Sequence, residues 1–189
     1  MKLILFGGVH GVGKTTLLNH LVKIYGDKFP VFDPGIYFWK HLYELKDKTT
    51  PEIEEMVINE LANMKNSQTI VCNWHYAVWT KSGYIPQLCY PNLERLIQMV
   101  KPDSVTLILV RAPAEEVYKR RRADAEIKKR KIDKKCIEEE MCATESAIEE
   151  HLDVIGKWVE PKLIVLDNTE LEETMKILVK IMGAETLNK

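Results

Sequence analysis

Residues 7–16 read GGVHGVGKTT, with the apolar run LILF directly before them and LLNHLVKIY directly after. The segment KLILFG is a short continuous apolar run ending in glycine, which reads as a strand buried on both faces. Leu17, Leu18, Leu21 and Val22 recur at helical spacing. A buried strand that passes through glycines into a helix needs neighbouring strands on its flanks and helices over both of its faces.

The rest of the chain supplies them. TIVCN (69–73), SVTLILV (104–110) and KLIVLD (162–167) read as further buried strands, and FPVFD (29–33) as a weaker one. IYFWKHLYEL (36–45) reads as helix. Another helix is expected from Thr50 as N-cap with Pro51 in its first turn, and one opens at Pro113 after the 104–110 strand. Strands alternating with helices predict right-handed crossovers and an α/β fold: a five-stranded parallel sheet with helices on both faces. At 189 residues, 46% of them apolar, the chain is expected to be a single domain, 1–189.

Composition excludes several classes of function. A net charge of −1 argues against wholesale binding to nucleic acid or membrane. Cys72, Cys89, Cys136 and Cys142 lack both C-x-x-C spacing and the density of a disulfide scaffold, and read as reduced thiols. No apolar stretch is long enough for a signal-peptide core or a membrane span, so a cytoplasmic protein is expected.

Gly8-x-x-x-x-Gly13-Lys14-Thr15 matches the Walker A pattern of the P-loop fold. Glycines let backbone N–H groups close around a phosphate that any Cβ would block, and the helix opening at Lys14 adds its positive end. The ATP-binding candidates are therefore Gly8, Val9, His10, Gly11, Val12, Gly13, Lys14, Thr15 and Thr16. Lys14 would reach the β- and γ-phosphates and the Thr15 hydroxyl would ligate Mg²⁺. His10 stands at a variable loop position, with no chemistry of its own assigned to its side chain.

Phosphate binding leaves a switch ATPase, a GTPase and a small-molecule kinase open. No Asn-Lys-x-Asp segment is present to read guanine. A kinase needs cations around the phosphoryl group in flight. Lys119 to Lys135 reads KRRRADAEIKKRKIDKK, beginning on a helix behind a buried strand. By itself this run fits a solvated helix face, with Lys134 pairing with Glu138 one turn on. Behind a P-loop it reads instead as a basic lid, about 121–133, carrying Arg122 and Arg130.

At this point the chain resembles the archaeal-type adenylate kinases and related nucleoside monophosphate kinases. TKSGYIPQL (80–88) is similar to that family's T-x-x-G-Y-x-P-x-L segment, and KPDSVTLILVRAPAEEVYKRRRAD resembles its fourth strand, following helix and lid entry. Lys129, Arg130 and Asp133 resemble the lid exit, and LDNTELEE (166–173) the loop beside the adenine, which brings Asn168 to the ATP site. The resemblance implies a helical acceptor-binding insert, about 34–67, a short lid without zinc cysteines, and a trimer.

There are two departures. Asn73 stands where the family carries an aspartate that orients the water shell of Mg²⁺, and FDPGIYFW is closer to the Asp/Glu-Pro-Gly turn of thymidylate kinases. Acceptor-site candidates are Asp33, Gly35, Lys40, His75, Lys81 and Arg111, with catalysis assigned to Lys14, Arg122 and Arg130. Trp74, Tyr76 and Trp79 read either as core or as cleft lining. The expected activity is transfer of the γ-phosphoryl of Mg-ATP to a small acceptor, foremost a nucleoside monophosphate. The alternatives are a thymidylate- or nucleoside-kinase-like enzyme, and a P-loop switch protein with slow ATPase activity.

Overall fold

The computed structural model describes residues 1–125 and 132–187. The chain runs β1 (Lys2–Gly7), α1 (Lys14–Tyr25), β2 (Val31–Phe32), α2 (Pro34–Phe38), a π-helical turn (Trp39–Glu44), α3 (Thr50–Asn63), β3 (Thr69–Asn73), β4 (Val78–Thr80), β5 (Gly83–Ile85), α4 (Tyr90–Val100), β6 (Ser104–Arg111), α5 (Ala114–Ala123), α6 (Lys134–Gly156), β7 (Pro161–Asp167) and α7 (Leu171–Leu187). The order β2-β3-β1-β6-β7, parallel throughout, forms the main sheet. β4 and β5 make a separate antiparallel hairpin.

Successive strand residues face opposite sides, and the core divides accordingly. Leu3 and Leu5 of β1 join Ile70, Cys72, Leu107 and residues of α3, α4 and α6. Ile4 and Phe6 join Val71, Ile108 and residues of α1 and α7 on the other side. A strand buried on both faces cannot show alternation, which is why β1, β3 and β6 are continuous apolar runs. β7 differs: Leu163 and Val165 stay 40% and 46% exposed, so this edge strand is covered on one face only.

Several expectations shift locally. The N-cap of α3 is Thr49, whose capping box with Glu52 satisfies the first turn, so Thr50 and Pro51 lie inside the helix. β2 shrinks to two residues because Pro30 has no N–H to give a ladder; its carbonyl accepts from Val71 N at 3.0 Å. The 36–45 helix breaks into α2 and the π-helical turn. The sequence patterns missed the hairpin, whose strands are three residues each. Trp74 and Tyr76 are fully buried, whereas Trp79 stands 54% exposed on that hairpin.

Candidate active site

The P-loop leaves β1 at the centre of the sheet, between β3 and β6, where the connections depart to opposite sides and ligands of open parallel sheets collect. Gly8 and Gly13 have φ of +147° and +101°. A Cβ on Gly8 would run into Val110 O, and one on Gly13 into the Asn168 side-chain nitrogen. Glycine is required at both positions for conformation and for space. Gly13 is the N-cap of α1 and has no side chain to cap it, and the amides and dipole of such a helix start favour an anion.

The loop carbonyls are bonded by side chains, one from the start of α1 and the rest from distant elements. Lys14 Nζ donates to Gly8 O at 2.5 Å and Val9 O at 3.1 Å. Arg121 donates to His10 O through Nε at 3.0 Å and Nη2 at 2.8 Å. Val12 O accepts from Arg120 Nη1 at 3.0 Å and from Asn168 Nδ2 at 2.7 Å. Arg120 Nη2 also reaches Asn168 O at 2.8 Å, which ties α5 to the loop behind β7.

Beside the loop lies a cleft of about 320 Å³. Its lining brings Lys14, Thr15, Thr16 and His10 together with Asn73, His75, Arg120 and Asp124. Asn73 donates through Nδ2 to Asp33 Oδ2 at 2.7 Å, and Asp33 Oδ1 caps α2 by accepting from Gly35 N at 2.9 Å. Asn73 is 8% exposed, and its Oδ1 has no hydrogen-bond partner among the described residues. An acceptor oxygen without a partner, in a cleft that Thr15 also lines and with the Asp33 carboxylate behind it, fits a hydrated Mg²⁺. His75 is fixed through its backbone N–H, which donates to Gln87 Oε1 at 2.9 Å.

The expected site residues divide. The loop residues, Asn73, Asn168 and His75 come together, with Asp33 and Gly35 directly behind Asn73. Arg122 is exposed and the cleft is lined by Arg120 instead: residues two positions apart on a helix are about 200° apart around its axis, so α5 cannot present both to one side. Arg130 lies outside the described residues. Lys40 is exposed on the π-helical turn and Lys81 at the hairpin tip. Arg111 ends β6 in an ion pair with Glu145 at 3.3 Å, away from this cleft. Lys134 pairs with Glu115 of α5 at 3.1 Å, so the expected partner Glu138 is displaced by a longer-range one. Arg121, read as part of a lid or a solvated face, is 2% exposed and buried against Glu140. Sequence gave no signal for that pair, because its members are 19 residues apart with the basic run between them.

A central P-loop, a cationic wall and a five-stranded parallel sheet define a nucleotide-binding α/β protein of the P-loop kinase fold. A family model described as an AAA domain matches residues 7–140. The chain is 27% identical over 186 residues to an adenylate kinase of Methanopyrus kandleri, covering 92% of this chain and 93% of that one. It is 30% identical over 138 residues to an adenylate kinase of Methanocaldococcus jannaschii, covering 65% and 69%. A deoxyadenosine kinase from M. mycoides shares the fold, with a TM-score of 0.58 over 97% of this chain and all of the other, at 14% identity. The chain thus belongs to the AAA-domain P-loop family, within its archaeal-type adenylate kinase and nucleoside monophosphate kinase group. Among the described residues, no helix is long and apolar enough to cross a membrane.

Proposed function

We propose that the protein is a phosphotransferase that moves the γ-phosphoryl of Mg-ATP to a small acceptor, foremost a nucleoside monophosphate. The observation that carries this reading is the cleft itself, in which the Lys14 ammonium and the Arg120 guanidinium line the same space as Thr15 and Asn73. Thr15 would hold Mg²⁺ directly, and Asn73 Oδ1 would accept from its water shell with Asp33 behind it. When bound, the metal would supply charge neutralisation on the phosphoryl oxygens. Lys14 stabilises charge on the β- and γ-oxygens, and the amides at the start of α1 hold the β-phosphate. The acceptor oxygen bonds to the γ-phosphorus as the bond to the bridging oxygen breaks, and ADP leaves. A monophosphate acceptor is already anionic and needs no base.

Within a single kinase domain, α2, the π-helical turn and α3 would form the acceptor-binding insert, within about 34–67; of the expected lid, about 121–133, Arg121 is instead packed against Glu140 and residues 126–131 lie outside the described residues. Asp33 favours a second reading. A carboxylate next to Asn73 suits an acceptor hydroxyl, whose proton it can take, better than a phosphate dianion, which it repels. Incubating the protein with Mg-ATP and a panel of nucleoside monophosphates and nucleosides, with ADP and phosphorylated product quantified, decides between them. Slow ADP release that no acceptor accelerates would refute both and favour a switch protein.

A further inference from the structure

Within the P-loop, the His10 side chain has no part in the chemistry described so far. Its backbone N–H and its ring Nδ1 both meet Glu140 Oε1 of α6, at 2.8 and 2.9 Å. The other carboxylate oxygen accepts from Arg121 Nη2 at 2.7 Å, and Arg121 returns to His10 O. The loop backbone is therefore already anchored at His10 through its own N–H and carbonyl, and the imidazole is not needed for that task. The ring stacks on His75 at 4.4 Å and 21°, remains 36% exposed, and lines the cleft with Lys14 and Thr15.

Glu140 is 7% exposed; burial pushes its carboxyl up, but the hydrogen bonds and charge of His10, with the Arg121 charge behind them, outweigh burial and hold it down to about 2. It is a carboxylate, hence an acceptor only, so Nδ1 of His10 carries the proton. That leaves Nε2 as the ring's remaining polar atom. Among the described residues, the charged and titratable groups that meet the ring or share its cleft are Glu140 from α6, Arg121 and Arg120 from α5, Asp124 just past its end, His75 behind β3 and Lys14 at the start of α1. An anionic phosphoryl group brought against the ring draws a second proton onto Nε2, and Glu140 balances the charge from behind.

We infer that His10 is a further catalytic residue, an imidazolium donor to the transferring phosphoryl group, and that Glu140 is the positioning residue that orients it. This rests on the phosphotransferase reading above. A charge-assisted hydrogen bond formed as charge spreads over the phosphoryl oxygens is worth about 10- to 100-fold in rate.

The test pairs a binding measurement with kinetics. Titration calorimetry compares the affinity for Mg-ADP with that for Mg-ADP plus tetrafluoroaluminate, a mimic of the phosphoryl group in flight. His10→Ala should bind Mg-ADP within about threefold of the parent but lose about tenfold or more of the added affinity for the fluoroaluminate complex. His10→Arg should recover much of it. Once an acceptor is found, His10→Ala should lower kcat more than it raises KM for ATP. Glu140→Gln should lower the same added affinity, and in the His10→Ala background should lower it no further, which a merely structural role would not produce. Should Glu140→Gln fail to fold with Arg121 left unpaired, the His10 variants decide alone. Unchanged fluoroaluminate affinity in His10→Ala, or fully additive effects, would overturn the inference. Absence of an acceptor in the panel would refute the phosphotransferase reading while leaving the binding result to stand by itself.

Discussion

Acid should destabilise this fold through a residue that does not line the phosphate cleft. His151 of α6 is fully buried, with Trp74, Tyr76 and Tyr90 meeting its ring edge-on at 6.2, 5.3 and 5.6 Å. Its Nδ1 donates to Ala147 O at 2.6 Å, so Nε2 bears the lone pair that accepts from Trp74 Nε1 at 3.2 Å. A second proton would break the Trp74 bond and place a charge in an aromatic core. Burial, only partly opposed by the bond to Ala147, pushes the imidazole down to about 4 from 6.5. Because the folded value is the lower one, the unfolded chain takes up the proton first as pH falls. The stability is fully present above about 6.5 and is lost between there and about 4. With each pH unit between the two values worth 1.36 kcal/mol, the full loss is about 3 kcal/mol, of which about 2 kcal/mol falls between pH 7.5 and pH 5. Glu140 acts in a lower window, since its depressed value keeps its contribution until the pH drops below about 4.5. Urea titrations at pH 7.5 and pH 5 read the difference, and His151→Gln, which can keep both hydrogen bonds without titrating, should flatten it. Equal pH slopes for parent and variant would refute the argument.

Lys14→Met should abolish phosphoryl transfer and leave the circular dichroism spectrum almost unchanged; turnover at the parent rate would remove the P-loop from the mechanism. Arg120→Ala should weaken ATP binding and lower kcat by about tenfold or more, because it removes two bonds that fix Val12 and Asn168, whereas Arg122→Ala should stay within about twofold. Steady-state kinetics with equal losses in both variants would contradict the placement of Arg120. Asn73→Asp should lower the Mg²⁺ concentration for half-maximal activity, since a carboxylate attracts a hydrated dication more strongly than an amide does. Asn73→Leu should raise it, and superimposable Mg²⁺ titrations would detach Asn73 from the metal.

The sheet was legible because four of its five strands are continuous apolar runs bounded by glycine, proline or a polar cluster, and three of those runs are buried on both faces. The P-loop was legible because its chemistry fixes residue types at fixed spacing. What lay outside the sequence was the side from which each cation approaches. Three consecutive arginines on α5 do different work: Arg120 lines the cleft, Arg121 is buried against Glu140 and Arg122 is exposed. Composition cannot separate them, because the 100° step between neighbours on a helix gains meaning only once the helix is docked. The same holds for Trp74 and Trp79, whose fates diverge because one follows a buried strand and the other stands on a two-stranded hairpin.

The bonds around the P-loop explain why the basic run begins on α5. A loop whose amides turn toward an anion must direct its carbonyls elsewhere, and a carbonyl without a partner is destabilising. Here Gly8 and Val9 are bonded by Lys14, His10 by Arg121, and Val12 by Arg120 and Asn168. Four of the carbonyls from Gly8 to Val12 are thus held by side chains of α1, α5 and the loop behind β7. These donors come from outside the loop except for Lys14, which also has to serve the phosphates. When an anion arrives, only Lys14 has to exchange partners, while the arginines and Asn168 keep the loop in shape. Such a site needs little reorganisation at the moment of transfer, which is the condition under which fixed dipoles stabilise developing charge. It also predicts an order of sensitivity that a lid model lacks: disturbing Arg121 should loosen the loop even without nucleotide, whereas disturbing an exposed arginine such as Arg122 should not. Amide hydrogen exchange at residues 8–13 in Arg121→Ala and Arg122→Ala measures this, and equal protection in the two variants would show that the loop holds its shape without α5.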